Sequence, residues 1–172
     1  MYHGWARSRL GDRAAGLAEM HAAMAVISER GSRLFEPLFQ GLLAGVEAEA
    51  ESEAVEGALA RIDEALALAE ETGEHWTDAF LHRIRGEILL KRDPANTAPA
   101  EEALLTAIGV AQQQKAKSFE LRAALSLAKL YQSTGRAADA HAVLAPALEG
   151  FSPTPEFPEI EEAQGLLAGL AD

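Results

Sequence analysis

The sequence predicts an all-α fold of stacked helix-turn-helix units, and three observations carry that prediction. Ala44, Gly86 and Ala128 lie 42 residues apart, and Ala23, Ala65 and Ala107 repeat the interval. Met20, Ile62 and Leu104 keep the same step, as do Met24, Leu66 and Ile108. Small and large apolar residues thus hold fixed places in each unit, as expected when a unit buries its apolar face only by stacking on the next. Apolar residues also recur at helical spacing, and Gly31, Gly73 and Gly135 stand where helices should stop.

In order, a helix is expected over 12–30, with Leu17, Met20, Met24 and Ile27 inward. A second runs over 34–51, and a third over 53–72 buries Val55, Leu59, Ile62, Leu66 and Ala69. The fourth, 76–91, carries Phe80, Ile84, Ile88 and Leu89. It breaks at 92–99, because Pro94 cannot sit inside a helix, whereas Pro99 suits a first turn. A fifth helix then runs to 114, a sixth spans 118–133 and a seventh 136–148. The proline-rich stretch 151–158 reads as a linker, and 159–172 as an amphipathic capping helix. The units are therefore 1–30, 34–72, 76–114 and 118–149, which place one array over residues 1–150.

Composition narrows the function. A chain of 172 residues with 48% apolar content can form one core or one continuous stack. It has no cysteine, so disulfides, thiolate metal sites and cysteine nucleophiles are absent, as suits a reducing compartment. No apolar core of a signal peptide opens the chain and no stretch approaches a membrane span, so the cytoplasm is the expected location. The net charge of -12 opposes nucleic acid and anionic lipid as partners. No phosphate-binding glycine loop occurs, and none of the five histidines pairs at metal-ligand spacing, so no cofactor is expected.

The unit 127–148 resembles the tetratricopeptide repeat, with Leu127, Ala128, Tyr131, Gly135, Ala140, Leu144, Ala147 and Leu148 at the family's spacing. Gly86, Leu89, Ala100, Leu104, Ala107 and Ile108 continue the pattern in the preceding unit, and Ala44, Ala58, Ile62, Ala65 and Leu66 in the one before. The first unit supplies Gly4, Gly11, Gly16, Met20, Ala23 and Met24. Gln40, His82 and Ala124 replace the consensus tryptophan, Arg85 replaces a leucine, and the period exceeds the family's 34 or so. The resemblance implies a right-handed α-solenoid of three to four units whose first helices line a concave groove. Phe80, Arg83, Glu87, Leu90, Lys91, Leu125, Lys129 and Gln132 are the residues it assigns to that groove.

The phrases 73–76, 81–90 and 118–128 further resemble the C-terminal repeat region of large bacterial signalling proteins. In those, an adenylate-cyclase-like or DNA-binding module and an NTPase precede a tetratricopeptide array. That implies a non-enzymatic scaffold or sensor segment of a signal-transduction or transcriptional regulator, binding a peptide or a neighbouring domain. Gly4 at a first-helix crossing position places most of that helix before residue 1, so either an upstream part is missing or the first unit is a half-repeat.

Other readings stay open. Trp5, Leu10 and Leu17 could cover an open stack end in a homodimer. A small-ligand or enzyme site could form around Asp78, His82 and Arg85, the first two being i, i+4 neighbours able to share a hydrogen bond. The acidic run Glu47, Glu49, Glu51, Glu53 and Glu56 reads as a docking face for a basic partner or as a solvated helix end. His82, Arg83, Arg85, Lys91 and Arg92 could form a positive strip for acidic peptide ends, with Arg85 neutralising Glu87 or the acidic run. Trp76 reads as a staple between adjacent units.

Overall fold

Local punctuation divides the chain into helices. In the computed structural model, which describes residues 1–31, 33–49, 54–152 and 157–170, every regular element among the described residues is helical. The order is α1 (Tyr2–Arg9), α2 (Arg13–Glu29), α3 (Glu36–Ala48), α4 (Ala54–Thr72), α5 (Asp78–Arg92), α6 (Ala98–Gln114), α7 (Lys117–Ser133), α8 (Ala137–Leu148) and α9 (Pro158–Leu170). A 3-10 turn, His75–Thr77, leads into α5. Asp12 caps α2 by accepting the Ala15 N–H, and Gly135 adopts φ 75° between α7 and α8, a conformation that costs other residues a Cβ clash. None of these helices is long and apolar enough to cross a membrane.

The helices pack in sequence order, each against the next, and the odd-numbered ones also touch in a row: α1 on α3, α3 on α5, α5 on α7 and α7 on α9. Residues separated by the sequence interval are alike in burial. Met20, Ile62 and Leu104 are all buried, and so are Ala44, Gly86 and Ala128. The main core runs from Ala44 to Ala163, and Met20, Met24, Leu43 and Val46 form a second cluster beneath α2 and α3. Burying the Val, Leu, Ile, Phe and Met side chains among these supplies roughly 1.5–3 kcal/mol each, the term that holds short helices together.

The N-terminal segment, expected to hold only the end of a first helix, forms the 8-residue α1, and Gly4 and Gly16 let α1 and α2 cross with backbones nearly touching. One feature differs from the sequence expectation. The second helix starts later than expected: Phe35 takes a left-handed φ of 61° before α3. Its N–H donates to both oxygens of the Glu74 carboxylate (3.2 and 3.1 Å), and its ring meets Trp76 edge-on at 5.8 Å. Trp76 therefore joins the starts of α3 and α5, although it is 45% exposed.

Farther along, Tyr131 ties α7 to α6. Its hydroxyl donates to Glu101 Oε1 (2.8 Å), and Arg136 lies 4.0 Å over its ring while pairing with Glu101 and Asp139. Burial and the Glu101 hydrogen bond push the Tyr131 phenol up to about 12. Burial works against ionised Glu101, but the hydrogen bonds from Tyr131 and Arg136 outweigh it and hold the carboxyl below its ordinary value.

Candidate functional site

One face of each odd-numbered helix turns toward a common open cleft of about 930 Å³. From α1 come Tyr2, Trp5 and Arg9; from α3, Leu38, Gly41, Leu42, Gly45, Val46 and Ala48, with Glu49 just beyond. Helix α5 contributes Phe80, Arg83, Ile84, Glu87, Ile88 and Lys91, a stripe at helical spacing that Trp76 extends. Phe119, Arg122, Leu125, Ser126 and Lys129 come from α7, and Pro158, Glu159 and Glu162 from α9. The floor is apolar and the rim is charged. Gly41 sets the depth of α3 against α5, since a Cβ there would lie 2.5 Å from Leu81 Cδ2.

The rim charges are paired across and along the helices. Arg9 reaches Glu49 at 2.5 Å, Arg83 reaches Glu87 at 2.6 Å, and the Ser126 hydroxyl donates to the same Glu87 oxygen at 2.6 Å. At the far end Arg122 pairs with Glu159 (2.9 Å) and Lys129 with Glu162 (2.6 Å). The Arg83 guanidinium also sits 5.6 Å from the centre of the Phe80 ring. Lys91 donates to the Ala48 carbonyl and has no carboxylate partner among the described residues. The exposed pairs among these, Arg9 with Glu49 and Lys129 with Glu162, are worth about 0–1 kcal/mol each, so an incoming ligand can exchange them at small cost.

Of the residues assigned to a groove from sequence, Phe80, Arg83, Glu87, Lys91, Leu125 and Lys129 line this cleft. Leu90 and Gln132 do not: Leu90 packs against the main core, and Gln132 is exposed away from the cleft lining. The sequence reading missed the walls supplied by α1, α3 and α9. Both tryptophans of the chain, Trp5 and Trp76, are in the lining.

Elsewhere the charged residues pair differently from the sequence expectation. Asp78 Oδ2 meets His75 Nδ1 at 2.9 Å rather than His82, because the 3-10 turn carries His75 back over the start of α5. Arg85 pairs with Asp63 (2.7 Å) rather than Glu87 or the acidic run. None of Asp78, His82 and Arg85 lines the cleft. In the acidic run, Glu47 receives Arg61 (2.8 Å) and lies 3.2 Å from His21, and Glu49 takes Arg9 and Arg13. Glu51 and Glu53 lie outside the described residues.

Half-burial, with a smaller contribution from Arg85, holds the His82 imidazolium form down, and Asp78 opposes the shift only in part. The folded pKa is therefore below the unfolded value of 6.5, and the unfolded chain binds the extra proton first. The stability that depends on neutral His82 is complete above pH 6.5 and is lost as pH falls from 6.5 through the folded pKa. Thermal melts across this window should show His82→Gln losing less stability than the parent. Parallel curves would remove His82 as a contributor.

No protein-family model matches the chain, and a search of curated proteins finds no relative.

Proposed function

We propose that the chain is a right-handed, tetratricopeptide-like α-solenoid that binds a segment of a partner protein in the cleft, as a scaffold or sensor part of a regulatory protein. The observation that carries this reading is the convergence of five alternate helices on one open cleft with an apolar floor, a charged rim and exposed aromatic edges. Such a surface offers buried anchoring area at its centre and exchangeable polar contacts at its edge, the division of labour seen in protein interfaces. Equivalence of the units is supported by their crossings. A Cβ on Gly4 would strike Met20 Cγ at 3.0 Å and one on Gly86 would strike Leu104 Cγ at 2.7 Å, and both partners occupy the same repeat position.

The test is a peptide-display selection on the full chain, counter-screened with the Leu42→Glu variant, at a partly buried position of the lining. A charge placed in the apolar floor should weaken selected peptides by at least about thirtyfold, corresponding to roughly 2 kcal/mol. Selected peptides that bind the variant undiminished would place the interaction elsewhere. A second reading, self-association, is favoured by the exposure of Tyr2, Trp5 and Leu10 on α1 and its turn, Leu10 being 88% exposed. Light scattering over a concentration series should then show a dimer that Trp5→Glu dissolves. A monomer at all concentrations would exclude it.

A further inference from the structure

We infer that the occupant of the cleft is an amphipathic helix whose polar side carries carboxylates. This rests on the cleft being a protein-binding surface. The first argument is charge complementarity. The chain has 15 Lys and Arg against 27 Asp and Glu, yet the cleft gathers Arg9, Arg83, Lys91, Arg122 and Lys129 against four glutamates. The lining thus carries one cation more than carboxylates, with Lys91 matched by no carboxylate among the described residues, inside a molecule that is otherwise strongly acidic. Such a local reversal draws acidic ligands and repels basic ones.

The second argument is a template within the fold. Helix α9 is an acidic amphipathic helix seated against α7: Glu159 and Glu162, three residues apart, take Arg122 and Lys129, which are seven apart and so two turns along α7. On the adjoining face α9 buries Ile160 and Ala163. Helix α5 carries two cations of its own on its cleft face, Arg83 and Lys91, eight residues apart, while the positions one interval before Arg122 and Lys129 hold Phe80 and Glu87. Lys91 is held only by a backbone carbonyl among the described residues, and Arg83 by a glutamate that Ser126 also satisfies. A helix laid along the cleft thus meets two cations a little over two helical turns apart, over a floor of Leu42, Ile84 and Leu125.

The test titrates the full chain with three tryptophan-free peptides of about 15 residues, long enough to be helical on docking. They share one leucine stripe and carry Glu, Gln or Lys on the polar face. Emission from Trp5 and Trp76, both in the cleft lining, reads occupancy. The Glu peptide should bind at least about tenfold tighter than the Gln peptide, with the Lys peptide weakest. Arg83→Gln/Lys91→Gln, which alters charge with little change in bulk, should erase that advantage and leave the Gln peptide unaffected. Equal or tighter binding of the Gln or Lys peptide overturns the acidic ligand and leaves the cleft as a binding surface. An advantage for Glu that survives in the double variant also overturns it. No emission change with any of the three overturns both this inference and the binding role of the cleft.

Discussion

Leu81→Ala should lower the unfolding free energy by about 3–5 kcal/mol, the range for emptying a fully buried leucine site that cannot collapse. Leu81 is 0% exposed, and its Cδ2 occupies the space that a side chain at position 41 would fill, 2.5 Å from the ideal Cβ. The cost is high because the contact joins two rigid helices, α3 and α5, whose separation is set by Gly41. The same geometry makes a second, dependent result. Gly41→Ala alone should destabilise by about 1–3 kcal/mol through overpacking, offset in part by roughly 1 kcal/mol of helix propensity. In the double variant the new methyl enters the space the leucine left, so the loss should fall short of the sum of the two by about 1 kcal/mol or more. Chemical denaturation of the four proteins measures this directly. Strict additivity would show that the two sites do not share one volume.

The second large effect is local. In Gly16→Val the added Cβ would lie 2.6 Å from the Gly4 carbonyl oxygen and 2.7 Å from the Ser8 nitrogen. Both are backbone atoms, so no rotamer relieves the clash, and α1 must separate from α2. An isolated helix of 8 residues is not stable in water, and the His3–Glu19 hydrogen bond and Arg7–Glu19 ion pair are too exposed to hold it. Residues Tyr2–Arg9 should lose amide protection and the Trp5 emission should shift to the red, while α4 to α8 retain their protection. One wall of the cleft goes with them. Persistent protection of α1 would show that the crossing tolerates a side chain.

Much of this architecture is legible in the sequence because it rests on periodic burial. Met20, Ile62 and Leu104 announce three buried positions from spacing alone, and the glycines at 31, 73 and 135 mark the ends of α2, α4 and α7 through positive φ. The turn before α3 is not legible. It depends on Glu74 and Trp76, some forty residues away, and on a left-handed phenylalanine that no local rule selects.

The cleft was half visible. Applying the interval of 42 backwards to Phe80, Arg83, Ile84, Glu87 and Lys91 lands on Leu38, Gly41, Leu42, Gly45 and Glu49, all of which line it. That signal was present and would have found the α3 wall. Leu90 and Gln132 are also one interval apart, and both fall off the cleft, because position 90 rotates past the α5 stripe that ends at Lys91. The α9 wall has no such signal, because the proline-rich stretch before α9 breaks the interval.

The absence of cysteine allows the binding role of the cleft to be tested with a single blocking label. Ser126→Cys places a thiol in the cleft lining, and Leu105→Cys places one on α6 at a position 47% exposed and outside the lining. Each variant is coupled to a bulky maleimide, and binding of a peptide selected on the unlabelled chain is measured by anisotropy. Loss of at least about tenfold affinity for the Ser126→Cys adduct, with none for the Leu105→Cys adduct, is the predicted result. Undiminished binding with the cleft blocked would contradict the account.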